Sequence, residues 1–135
     1  MGLPCRWRGG SLYSREEAPM EHPLTRCARF EKASELMGKR WTGLILRILL
    51  AGPRRFGELT DAIGSISERV LSERLKELEA EGVVSRHVDA GPPIRVAYQL
   101  TEKGQALWKV VDELARWAER WVDMKPSAAR KRKSA

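Results

Sequence analysis

Residues 67–81, SERVLSERLKELEAE, place charged and hydroxyl side chains and leucines on opposite sides of one helix. Leu71, Leu75 and Leu78 recur at i, i+4 and i+7, so they share the buried face. At about 100° per residue, Arg69, Ser72, Glu73 and Lys76 fall on the outward side. Arginine and lysine there can donate to guanine O6 and N7 or to phosphate. Serine can reach either, and glutamate can accept from cytosine N4–H. An outward charged face is also what most solvated helices carry. The next element of the chain decides between the two. It is a hairpin with strands near Val83–Val88 and Ile94–Leu100, joined by Asp89-Ala90-Gly91-Pro92-Pro93. The two prolines stiffen the tip, and Arg95 stands just beyond them. Arginine at a hairpin tip suits a minor groove. Arg54 and Arg55 precede the next helix inward, where they can hold phosphates.

The remaining elements exist to present that helix. Phe56, Leu59 and Ile63 give a short helix over 56–63, and Gly64 allows the tight turn after it. Two caps suit the reading helix: Ser67 alone, or Ser65 with Glu68 as a capping box. Upstream, a helix is expected over Cys27–Met37, ending at Gly38. Another is expected over Trp41–Ala51, apolar nearly all round except at Arg47, which predicts a buried spine. Thr101 caps a long last helix reaching about Val122. The predicted fold class is mainly α with a small β-hairpin wing, a winged helix-turn-helix, which directs one helix to the major groove and the hairpin to the backbone beside it.

Charge is informative through its location. The net charge is +7, but Lys125, Arg130, Lys131, Arg132 and Lys133 supply five of those charges, and residues 1–24 balance. Residues 25–124 therefore hold only +2, so affinity for a polyanion must come from where cations sit. The tail adds sequence-independent attraction. The expected domains are a disordered tail over 1–24, a winged helix-turn-helix with a C-terminal dimerisation helix over 25–124, and a basic disordered tail over 125–135. Met20 lies just before the structured part, so residues 1–19 are open to reading as an upstream extension of the native start.

Other classes find little support. Two cysteines, Cys5 and Cys27, are too few and too ill-spaced for a zinc site or a disulfide framework. The two histidines are His22 in the tail and His87 on an expected strand edge. There is no Gly-rich phosphate loop and no nucleophile–base pair, so no catalytic residue, metal site or cofactor is expected. Glu77, Glu79 and Glu81 read as solvated charges. No apolar run approaches a membrane span and no signal peptide is visible, so the expected location is cytoplasmic and nucleoid-associated.

Along the last helix Leu107, Val110, Val111, Leu114, Trp117, Ala118 and Trp121 form a wide apolar stripe with Trp108 at its margin. So long a stripe fits a two-fold homodimer interface formed by the first and last helices. Packing inside a monomer is the alternative. The expected interface residues are Phe30, Leu107, Val111, Leu114, Trp117 and Trp121.

The residues in this order resemble the HxlR-type branch of winged helix regulators, related in architecture to the MarR group. The resemblance is carried by Cys27, Gly38-Lys39-Arg40-Trp41-Thr42, Ile45-Leu46, Arg55-Phe56-Gly57-Glu58-Leu59, Ile66-Ser67, Leu71 and Arg74-Leu75-Lys76-Glu77-Leu78-Glu79. It continues through Gly82-Val83-Val84, Pro92-Pro93, Arg95-Val96-Ala97-Tyr98-Gln99-Leu100-Thr101, Gly104 and Trp117. It spans about residues 27–121. This chain departs at Arg40 between Lys39 and Trp41, at Ala97 where an acidic residue is common, and at Ile94 inserted before Arg95. The resemblance implies a homodimeric transcriptional regulator that binds a double-stranded DNA operator through the helix after Ile66-Ser67. It also implies response to oxidants or electrophiles through Cys27. With Arg26 and Arg29 beside it near a helix N-terminus, Cys27 has a setting that favours the reactive thiolate. A small buried hydrophobe is the plainer role. A small-molecule effector near Trp41, Trp108 and Trp117, and a winged helix used only for protein interaction, are the alternatives. Repression by covering a promoter is favoured over activation.

Overall fold

The computed structural model describes residues 28–125. Cys5, Met20, His22 and Cys27, with the tail from Pro126, lie outside the described residues. The chain divides into two compact units, residues 1–42 and 43–135.

In the first unit, helix α1 (Ala28–Gly38) has no buried residue, and Phe30 is 70% exposed. The turn after it closes through Thr42 N–H donating to the Lys39 carbonyl at 3.2 Å. Trp41 takes a left-handed φ of 78°, rare for a side-chain-bearing residue. Its ring lies 4.5 Å from the Arg40 guanidinium.

Helix α2 (Thr42–Leu50) starts at the boundary and supplies Ile45, Leu46 and Leu49 to the core. Arg47, the expected exception, is exposed, but so is Leu44, so the helix is not otherwise buried all round as its composition suggested. Strand β1 (Arg54–Arg55) comes next, then α3 (Phe56–Ile63), α4 (Glu68–Ala80), β2 (Val84–Asp89) and β3 (Arg95–Leu100). The three strands form one antiparallel sheet in the order β1-β3-β2. Only the hairpin was expected. Arg54 and Arg55 instead add a third strand opposite Tyr98 and Ala97, and two residues are too few to show alternation in a sequence. Leu59, Ile66, Leu71, Leu75, Leu78, Val83, Val84 and Leu100 are buried at the junction of these elements.

The last helix, expected to be single and long, is two. Helix α5 (Glu102–Gln105) ends before Ala106 and Leu107, and α6 (Trp108–Trp121) comes after them. Thr101 caps α5 by accepting from Gly104 N–H at 3.2 Å. Gly104 is buried against the Val83 carbonyl and Leu100, so closely that an added Cβ would collide with that carbonyl. Pinning this turn to the sheet, with glycine's weak helical preference, tightens the chain. Leu107 N–H then bonds the carbonyl of Gly104, three residues back, at 3.1 Å. Val111 is buried with the core, whereas Leu114, Trp117 and Trp121 remain exposed.

Candidate nucleic-acid interface

Two local devices fix the start of α4. Gly64 ends α3 at φ 76°, ψ −44°, and its N–H bonds the Thr60 carbonyl at 2.9 Å. Ser67 then caps α4 with extended backbone, its hydroxyl accepting from Val70 N–H at 3.2 Å. Of the two caps the sequence allowed, Ser67 is the one used. Ile66, buried between these points, anchors the turn to the core. Leu71, Leu75 and Leu78 are at most 1% exposed, which sets the rotation of α4.

That rotation turns Arg69, Glu73 and Lys76 fully outward, with Ser72 half-buried at the edge of the face. Arg69 is in the first turn, the part of a reading helix that meets base edges. Its Nε lies 3.3 Å from Glu73 Oε1, one turn on, and the pair is mostly exposed. Such a pair adds little stability but holds the guanidinium in one direction. Lower on the helix, Arg74 and Glu77 pair at 3.1 Å nearer the core, so Glu77 is not simply a solvated charge.

Beside α4 the hairpin carries Arg95 at the first position of β3, exposed and opposite Asp89. Arg54 is half-buried and its Nη1 donates to the Pro53 carbonyl at 2.9 Å. Arg55 is exposed, and its N–H donates to Glu58 Oε2 at 3.2 Å at the start of α3. The structure thus gathers Ser67, Arg69, Ser72, Glu73 and Lys76 on one helix face. Arg95 is on the hairpin, and Arg54 and Arg55 are on the opposite edge strand. Arg86, not singled out by the sequence pattern, is exposed on β2 and in register with Tyr98. Alternation gave no signal for it, because Arg86 shares the side of the sheet with buried Val84. His87, an expected edge residue, is exposed on β2 with Nε2 3.0 Å from Ser85 Oγ.

Of the tryptophans considered for an effector, Trp108 lines a groove of about 540 Å³ together with Arg47, Leu50, Gln105 and Arg116. Trp117 is not among its walls, and Trp41 belongs to the other unit. Among the described residues no group of His, Cys, Asp and Glu could hold a metal ion. No described helix is long and apolar enough to cross a membrane.

A capped reading helix, a preceding helix at a glycine turn and a flanking hairpin define a winged helix-turn-helix. The sequence profile of HxlR-like helix-turn-helix proteins matches residues 36–126, and the chain belongs to that family. It is 52% identical over 97 residues to the uncharacterized HTH-type transcriptional regulator YvaP of Bacillus subtilis (strain 168), covering 72% of this chain and 90% of YvaP. It is 48% identical over 99 residues to the HTH-type transcriptional regulator YodB of the same strain, covering 73% of this chain and 88% of YodB. The reduced form of YodB superposes with a TM-score of 0.66, covering 72% of this chain and 95% of that one. YodB has also been solved treated with diamide and bound to quinone. The oxidized form of the redox regulator HypR, 35% identical, superposes with a TM-score of 0.67, covering 70% of this chain and 98% of that one. The chain is therefore a DNA-binding transcriptional regulator of winged helix architecture and not an enzyme.

Proposed function

We propose that the protein represses transcription by binding a two-fold operator as a homodimer, and that Cys27 releases it when oxidised or alkylated. The reading rests chiefly on α4. Three buried leucines fix its rotation, and Arg69, Glu73 and Lys76 stand outward beside a hairpin bearing Arg95. Side chains on that face, with Ser67 and Ser72, meet base edges and phosphates in the major groove. Arg55 holds phosphate from the edge of the sheet, with Arg54 in support. Two copies place their reading helices about one helical turn (~34 Å) apart.

Dimerisation is supported by α6, where Leu114, Trp117 and Trp121 are each more than half exposed at helical spacing. An aromatic row of that kind costs free energy in water and gains it against a second copy. Phe30 on α1, 70% exposed, is likewise proposed as a dimer contact, and Leu107 continues the row toward α5. Val111, buried in its own chain, belongs to the core instead.

The thiol response is supported by the redox regulators among the relatives: YodB, solved reduced, diamide-treated and quinone-bound, and HypR, solved oxidized. Cys27 lies outside both the profile match and the described residues, and its sequence neighbours Arg26 and Arg29 favour the thiolate. Such a regulator works in the reducing cytoplasm, on the nucleoid.

Gel-shift titration of the full chain on the promoter fragment upstream of its own gene, with diamide and reductant in parallel, tests the reading. Tight binding lost under diamide and retained by Cys27→Ser is the expected result. Tight binding indifferent to diamide would remove the thiol switch and turn attention to an effector in the Trp108 groove. Binding no stronger than to random duplex would remove operator recognition, leaving a winged helix for protein interaction.

A further inference from the structure

The hairpin carries an apolar row that the core does not cover. In the register of β2 and β3, Val84 faces Leu100, Arg86 faces Tyr98, and Val88 faces Val96. These six side chains alternate onto one side of the sheet. The row starts buried at Val84 and Leu100, is half-buried at Tyr98 and Val96, and reaches 53% exposure at Val88. Ile94 lies one step before β3, in phase with Val96, and is 74% exposed. The buried end identifies this as the side on which α4 packs against β2 and α3 against β3.

A single exposed isoleucine needs no explanation. A graded row extending past the core on the side of the reading helix does. With α4 in a major groove, the sugar–phosphate ridge bordering that groove runs between α4 and the hairpin, facing this row. The row holds one cation suited to such a ridge: Arg86, in register with Tyr98, has no ion-pair partner among the described residues. Arg95, one position out of phase with the row, belongs to the other side of the hairpin, in register with Asp89. Deoxyribose offers an apolar wall inside the minor groove, and apolar side chains are the ones that wedge there.

We propose that Val88, Val96 and Ile94 form an apolar strip that packs against the deoxyribose wall of the minor groove adjoining α4, with Ile94 as the wedge at its tip. The proposal rests on the DNA-binding reading and assigns a contact that carries no charge. It therefore predicts a particular signature. Losing a phosphate contact lowers the salt dependence of binding, whereas losing an apolar contact does not. Arg95 and Ile94 are adjacent, so the two effects can be compared within one loop.

The test uses the full chain and the duplex it selects from a random pool, with affinity read by fluorescence anisotropy across a salt series. Ile94→Ser should weaken binding about tenfold with an unchanged salt slope and an unchanged melting temperature. Ile94→Leu should bind within about twofold of the native chain, since a volume-conserving swap keeps the apolar contact. Arg95→Ala should lower the slope by about one. Hydroxyl-radical footprinting should show a protected patch of sugars beside the α4 site that Ile94→Ser alone exposes. Native affinity and an intact patch in Ile94→Ser would overturn the strip while leaving DNA recognition in place, as would a loss of binding that tracks a lowered melting temperature. Failure of the native chain to select any duplex would overturn the DNA reading and the strip with it.

Discussion

Helices α4 and α6 are of similar length and both carry an apolar row, yet they spend it differently. In α4 the row is Leu71, Leu75 and Leu78, all buried, and the opposite face is charged. In α6 only Val111 is buried, while Val110, Leu114, Trp117 and Trp121 are exposed. Charge on α6 is also held within the helix, with Arg116 bonded to Asp112 at 3.0 Å and Arg120 5.1 Å from the Trp121 ring. One helix thus uses its apolar face for the chain's own core and offers its polar face outward. The other offers its apolar face. Periodicity alone does not distinguish these uses, because a row of leucines or tryptophans looks the same whether its cover comes from its own chain or another.

The largest expected effects separate the two helices. Leu75→Ala removes a fully buried side chain and should destabilise the fold by about 2–5 kcal/mol in urea unfolding. A much smaller loss would mean that the α4 core relaxes freely. Trp117→Ala should leave the core intact but raise the dimer dissociation constant about 30-fold or more, as for a hot spot of about 2 kcal/mol. Sedimentation equilibrium reads this directly. If the native chain sediments as a monomer at micromolar concentration, or the variant dimerises equally well, the row on α6 has some other cover.

Most of the reading half was legible in the sequence. The bounds of α3 come from Phe56, Leu59, Ile63 and Gly64, and the rotation of α4 comes from its leucines, because both depend on contacts within a few turns. The features that escaped depend on contacts distant in sequence. Strand β1 exists only because β3 pairs with it, through Arg54↔Tyr98 and Arg55↔Ala97. The break before α6 exists because Gly104 is pressed against Val83, twenty-one positions earlier in the chain. Val111 looked like the rest of the α6 stripe and is core, for the same reason. Within the candidate site, residue types on α4 were readable, but the Arg69–Glu73 pair and the exposure of Arg86 required coordinates.

Intermediate effects resolve the face of α4 itself. Arg69→Ala and Lys76→Ala should each cost about 1–3 kcal/mol of operator binding if they touch base edges, with relaxed preference at one base pair. A residue that touches only phosphate should instead weaken binding evenly across sequences and lower the salt slope by about one. Arg69, in the first turn, is expected to show the first pattern. Lys76, two turns further on, is expected to show the second. Identical patterns for both would mean that α4 lies along the groove instead of entering it end-first.

The smallest expected change in stability comes at Ser67, where two roles coincide. Its hydroxyl accepts from Val70 N–H as the cap of α4, and it sits at the end of the helix proposed to meet DNA. Alanine removes the cap and should cost about 1 kcal/mol in unfolding. Aspartate caps as well as serine and favours the positive end of the helix dipole, so Ser67→Asp should shift stability by only a few tenths of a kcal/mol. The same carboxylate would face phosphate, and binding should weaken far more than stability changes. Calorimetry and anisotropy on this one variant therefore divide the roles. If Ser67→Asp binds DNA as well as the native chain, Ser67 acts as a cap alone and the duplex approaches α4 from further along the helix.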